Sequence, residues 1–212
     1  EQEQISDWIG LRPGDLRERH TPLFCAGDGV WRPKVGFSPK WPMIMVSWYG
    51  ANAYSLWANG QDWRDYRDAS QSFLPTEAQW EYAARGVYPS NFPWGNMAAS
   101  EDLLVFCPDE QRLDPDIRLE DFPLQPVTAE LGVSLSGLRG MAGNVWQWCR
   151  DKYDAEFYKS REASRPNAWN SAAGDMKSER GGSWVGPASV ARSSYRRGRR
   201  AGAKGRCLGF RC

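Results

Sequence analysis

The sequence predicts one α+β domain made of two short helices, short antiparallel strands and long loops. Three observations carry that prediction. Two helical segments with recognisable start and stop signals stand in the first half of the chain. The 21 Gly and 14 Pro cut the rest into pieces too short for long regular structure. Beyond residue 138 the apolar runs are brief and bounded by turn residues, as strands are. At 212 residues the chain can bury a substantial core, and its twelve Trp supply bulk for one.

Residues 1–41 read as an irregular N-terminal part, punctuated by Pro13, Pro22, Pro33 and Pro39. The run from Pro42 to Trp48 reads as a short buried strand entering a helix at about 49–59. Ala53, Leu56 and Trp57 share a face of that helix, and Gly60 stops it. The second helix is better specified. Thr76 is its N-cap, Gln79 sits at the reciprocal capping-box position, and Glu77 and Glu81 suit the positive N-terminal end. Trp80, Ala83 and Ala84 form its apolar stripe, and Gly86 ends it. From Val87 to Leu138 the chain is mostly loop, with Pro93, Pro108, Pro115, Pro123 and Pro126. Gly143 to Trp148 is a tight turn into a strand of alternating large side chains, followed by a polar stretch at 151–178. There is no internal repeat and no heptad pattern.

Charge is divided unevenly. Arg180–Cys212 holds nine Lys/Arg and no Asp or Glu, which leaves 18 basic against 26 acidic residues in the rest of the chain. No stretch approaches the roughly 18 apolar residues of a membrane span. The chain opens on a polar stretch, so a cell-surface, virion or exported location requires a leader already removed. Cys25, Cys107, Cys149, Cys207 and Cys212 show no C-x-x-C spacing, and their odd number leaves at least one thiol without an intramolecular partner. His20 is the only histidine and nothing clusters with it, so no metal and no cofactor are expected.

Four blocks stand in order over residues 42–212: Val46-Ser-Trp48 with Ala53-Tyr54; Leu74 to Gly86 with Phe92-Pro-Trp-Gly95; Gly143-Asn-Val-Trp-Gln-Trp148; and Arg180-Gly-Gly-Ser-Trp184 closing with Gly209-Phe-Arg211. Together they resemble the formylglycine-generating enzyme, or sulfatase-modifying factor, family. The resemblance implies a C-type-lectin-like fold over a single domain, 1–212. It also implies sites that this chain lacks. Copper-dependent oxidases of the family use two cysteines where Gly186 and Ala191 stand, which offer no thiolate. Iron-dependent members use several histidines. A calcium site of the family draws on positions occupied by Gly140 and Gln147, neither of which supplies a carboxylate.

The segment 180–212 is also similar to the variable region of a second branch of the fold, the variable proteins of diversity-generating retroelements. In that branch adenine-directed mutagenesis rewrites chosen codons between two bookends, which here are Arg180-Gly-Gly-Ser-Trp184 and Gly209-Phe-Arg211. The framework steps of the branch land without a gap on Ala188, Arg192-Ser193, Arg196 and Gly209-Phe210-Arg211. The resemblance then implies fourteen variable, ligand-binding positions: Val185, Gly186, Pro187, Ser189, Val190, Tyr195, Arg197, Gly198, Arg199, Arg200, Ala203, Gly205, Arg206 and Cys207. The NNY codons such rewriting yields cannot encode Trp, Met, Gln, Lys or Glu. None of these five types occurs at the fourteen positions, although they make up 43 of the 212 residues; composition alone gives that absence a chance of roughly 4%.

The expected function is therefore non-catalytic binding of a partner, a protein with an acidic surface, through a hypervariable C-terminal face. Five Arg within 196–206 offer fork donors to carboxylate or phosphate. Replacing Arg197, Arg199, Arg200 and Arg206 together by Ala is expected to leave the thermal midpoint nearly unchanged, as surface changes do. Nucleic acid is the weaker partner, because the positive residues lie inside a folded block with few aromatics. Two other functions stay open: a formylglycine-generating-type oxidase, and an accessory domain of the same fold with a fixed ligand. Trp146, Trp148 and Trp184 are read as core, Glu77 and Glu81 as helix-start residues, Arg192 and Arg196 as loop anchors, and Asp151 as the partner of Arg180 or Arg196.

Overall fold

A computed structural model describes residues 2–10, 20–108, 117–172 and 174–212; Pro13 and Pro115 lie outside the described residues. The elements run α1 (Gln2–Trp8), β1 (Leu23–Cys25), β2 (Trp31–Pro33), α2 (Trp48–Ala58), α3 (Glu77–Arg85), β3 (Trp146–Lys152), β4 (Met176–Arg180), β5 (Arg197–Arg200) and β6 (Leu208–Phe210), with short 3-10 turns between them. β1 and β2 form a hairpin. The other four strands make one sheet in the order β5-β4-β3-β6, with β5 and β6 at its edges. β3/β4 and β4/β5 are antiparallel as expected, but β6 lies parallel to β3. β5 and β6 stand at opposite edges and run the same way, so the 201–207 loop carries the final strand across the sheet without the reversal of direction that a hairpin makes.

α3 follows its sequence signals closely. Thr76 Oγ1 accepts from the Gln79 N–H at 3.1 Å, and Gln79 Oε1 accepts from the Thr76 N–H at 2.9 Å. Gly86 closes the helix at φ +62°. α2 begins one residue earlier than expected, capped by the Ser47 hydroxyl, which accepts from the Gly50 N–H at 3.1 Å. Its buried face differs from the predicted one. Trp57 is exposed, while Asn52 and Ser55 are fully buried. Both polar residues are bonded: Asn52 donates to Tyr66 O at 2.9 Å, and Ser55 donates to Asn52 O at 2.9 Å. Their partners hold the following loop against the helix, so burial costs no unpaired polar group.

Two further expectations change. Residues 1–41 contain helix α1 and the β1/β2 hairpin, so that part is more regular than expected. α1 is held by packing: a Cβ on Gly50 would lie 2.8 Å from Trp8 Cβ. The run 42–48 is buried as expected, with Ile44, Met45, Val46 and Trp48 inside, but it is not a strand. Met45 adopts φ +56°, which breaks any ladder. Its backbone pairs with loops instead, accepting from Gly10 N at 3.1 Å and donating to Gly205 O at 3.0 Å.

β3 is covered on both faces, so its first four residues are all buried in place of the expected alternation. Trp146 and Trp148 face a cluster with Val46, Trp48, Ala51 and Leu208. Cys149 packs with Trp80 of α3. Trp184 joins a second cluster with Ile44 and Phe122. Trp146, Trp148 and Trp184 are thus core, as expected. Among the described residues no helix is long and apolar enough to cross a membrane.

Candidate binding face

The C-terminal segment is assembled on the sheet from β4 outward. The turn after β4 requires its glycine: Gly182 sits at φ +72°, and a Cβ there would lie 2.8 Å from Ala191 Cα. The chain then runs through a 3-10 turn at Ala188–Ala191, along edge strand β5, and through the 201–207 loop into β6. Ala191, Ser193, Ala201, Leu208 and Gly209 point inward and are buried. None of the fourteen predicted positions is fully buried. Pro187, Ser189 and Arg200 are exposed, and Val185, Gly186, Val190, Tyr195, Arg197, Gly198, Arg199, Ala203, Gly205, Arg206 and Cys207 are half-buried.

Arg196 anchors the middle of this segment. It donates to both oxygens of Glu77 at 2.7 and 2.9 Å, and its guanidinium stacks 4.5 Å from the Tyr158 ring. Beneath it, the fully buried Arg180 bridges Glu77 and Glu81 and donates to Tyr195 O. Glu77 therefore does more than favour the helix start: it is the buried counter-ion of two arginines and also accepts from Ser178 at 2.9 Å. Asp151 does not pair with Arg180 or Arg196. Its oxygens accept from the backbone N–H groups of Glu77 and Asn170 at 2.8 and 3.0 Å, tying β3 to the start of α3. Arg192 is exposed and donates to Ser189 O at 2.9 Å, bracing the 3-10 turn.

The four arginines at predicted variable positions fall into two kinds. Arg197 and Arg199 lie on one face of β5, and each donates to a different oxygen of Glu179, which is fully buried in β4. Arg197 also covers the Trp146 ring, with its guanidinium carbon 4.2 Å from the centroid. Arg200 is exposed, and Arg206 lies 5.5 Å over Trp184, whose indole N–H donates to Arg206 O at 3.3 Å. Burial pushes the Cys207 thiol above its ordinary value, so it stays protonated and is no reactive thiolate. Space also differs among the glycines. A Cβ on Gly205 would make ordinary contact with Leu208, whereas one on Gly198 would lie 2.4 Å from the Tyr153 ring.

The positions where relatives would hold metals have other occupants. The backbone oxygen of Gly186 accepts from Cys107 N at 2.9 Å, and Ala191 packs beneath Gly182. Neither brings a side-chain donor, so a copper ion does not fit this pair. Gln147 donates to Gly140 O at 2.6 Å, and its Oε1 accepts from Trp80 at 2.9 Å. The two residues that stand at the family's calcium positions thus bond to each other. Among the described residues no group of three or more His, Cys, Asp or Glu could hold a metal ion.

A family model described as the sulfatase-modifying factor enzyme 1-like domain matches residues 7–212. The chain belongs to that family. Over 160 residues it is 31% identical to the formylglycine-generating enzyme of Thermomonospora curvata, covering 69% of this chain and 46% of the relative. It is 30% identical over 213 residues to the inactive C-alpha-formylglycine-generating enzyme 2 of Bos taurus, covering 97% of this chain and 58% of the relative. It is also 30% identical over 174 residues to the serine/threonine-protein kinase pkn1 of Chlamydia pneumoniae; that match covers 82% of this chain and spans only 24% of the kinase's length. The sulfatase-modifying factor fold is shared with PvdO from Pseudomonas aeruginosa at TM-score 0.61 and 21% identity, covering 84% of this chain and 64% of that one. It is shared with Treponema denticola variable protein 1 at TM-score 0.59 and 23% identity, covering 84% and 73%.

Proposed function

We propose that this chain is a non-catalytic binding protein whose C-terminal face, diversified by a retroelement, meets a protein partner. The observation that carries the reading is the division of labour along 185–207. All fourteen positions assigned to variation reach the surface at least in part, while Ala191, Ser193 and Ala201 between them are buried. Side chains at most of these positions can then change without emptying the core; the exceptions are Gly198, where a Cβ would lie 2.4 Å from the Tyr153 ring, and Arg197 and Arg199, which pair with Glu179. The fold likeness to Treponema denticola variable protein 1 supports the same reading. The partner's surface is acidic where it meets Arg192 and Arg200, the exposed cations of the segment.

Sequencing the gene's 3′ end and flanking DNA tests this. The expected result is a nearby near-copy of the codons for 185–207 that differs only where the copy has adenine. A flank without such a copy would return the chain to a fixed-ligand member of its family. Catalysis of the formylglycine-generating type is the second reading, favoured by the 31% identity to the Thermomonospora curvata enzyme. Oxygen uptake on a Cys-x-Pro-x-Arg peptide in the presence of copper decides that point: no turnover is expected, and turnover would overturn the binding reading.

A further inference from the structure

We propose that Glu179 and Trp146 form a guanidinium-binding pocket that Arg197 of the same chain fills, and that a partner's arginine enters it when position 197 carries a small residue. Three features build the pocket. Glu179 is fully buried and faces outward only through its two ligands, so its carboxylate is fixed and stripped of water. Arg197 takes Oε1, and Arg199 takes Oε2 at 2.8 Å, so the two guanidinium groups use separate oxygens. The Trp146 ring, itself buried, lies under Arg197 with the guanidinium carbon 4.2 Å from its centroid. A carboxylate oxygen and an aromatic face converging on one planar cation are the chemistry that selects guanidinium over ammonium.

The surrounding charges suit an exchange of ligand. With Arg197 removed, Glu179 keeps Arg199, so the remaining pair is neutral and one acceptor oxygen is left without a donor. Arg197 is 37% exposed at its side chain, so the space it leaves opens to solvent and to a partner. The role of a partner's arginine rests on the binding reading above. The pocket itself does not, because Glu179 and Trp146, which line it, lie outside the predicted variable set, and Arg199, which holds the second oxygen of Glu179, is present in this chain.

Chemical rescue tests the pocket. The thermal midpoints of the wild type and Arg197→Ala are measured with ethylguanidinium, propylamine or propylurea at tens of millimolar. Arg197→Ala is expected to lower the midpoint, and ethylguanidinium to restore at least half of the loss. Propylamine and propylurea should not restore it, and the wild-type midpoint should not rise. An equal response of variant and wild type, or an equal rescue by propylurea, overturns the pocket. If Arg197→Ala does not fold unaided, its refolding yield with ethylguanidinium is measured instead, and a yield no higher than with propylurea overturns it as well. A failed rescue removes the pocket and leaves diversification standing; a flank without a near-copy removes the partner's role and leaves the pocket.

Discussion

At the scale of single residues, exposure alone does not say which arginines are free. Arg197, Arg199, Arg200 and Arg206 read alike in sequence, as fork donors aimed at a partner. In the fold, two of them neutralise a buried carboxylate and the other two do not. Replacing all four by Ala therefore cannot leave the midpoint unchanged, because Glu179 would be left buried and unpaired. Arg197→Ala with Arg199→Ala is expected to cost about 3–5 kcal/mol in chemical denaturation. Arg200→Ala with Arg206→Ala should stay within about 1 kcal/mol, twice the usual range for a surface change. Equal losses from the two pairs would mean that Glu179 does not depend on its arginines. Nothing in sequence joins Glu179 to this pair, since the partners are 18 and 20 residues away and it precedes the first bookend.

At the scale of elements, the parts legible in sequence were those with local signals. α3 was readable because its capping box, apolar stripe and closing glycine all lie within its own span. The buried face of α2 was not, because Asn52 and Ser55 look like surface residues until the loop that they hold is in place. α1 carries no such signal: a seven-residue helix is marginal alone, and Trp8 holds its end against Gly50 of α2. The candidate face was legible in outline from its bookends, whose turn needs Gly182 and whose Trp184 fills the second core cluster. Trp184→Ala is expected to destabilise by about 3–5 kcal/mol, the usual cost of emptying a buried aromatic site. Urea unfolding measures this, and a loss under about 1 kcal/mol would remove Trp184 from the framework.

At the scale of the whole molecule, stability depends on pH through groups the two-sided sheet has enclosed. Lys177 is almost fully buried, with its ammonium 3.7 Å from the Trp48 ring centroid and donating to Arg150 O at 2.8 Å. Burial lowers its pKa from 10.5 to about 7. Between those values the unfolded chain holds a proton that the folded chain has released. Stability from this group therefore rises with pH across that window, at no more than roughly 1.4 kcal/mol per unit, and is lost as pH falls toward 7. Lys177→Met should flatten the difference between pH 7 and 10 in denaturant titrations. A variant that keeps the wild-type slope would assign the dependence to other groups.

The position of β5 at the sheet's rim has a consequence for what can survive there. An interior strand could not change its side chains without unpacking neighbours on two sides, so of the four strands only an edge one could take rewriting, and even there Arg197 and Arg199 are tied to Glu179. An edge, however, offers unpaired backbone to any other extended chain. On the diversification proposed above, each new version of 197–200 meets a solubility filter before it meets a ligand. Runs of apolar, β-branched residues would recruit further copies of the protein and be lost. The repertoire that reaches a partner is then narrower than the codons allow, and tilted toward charge and glycine.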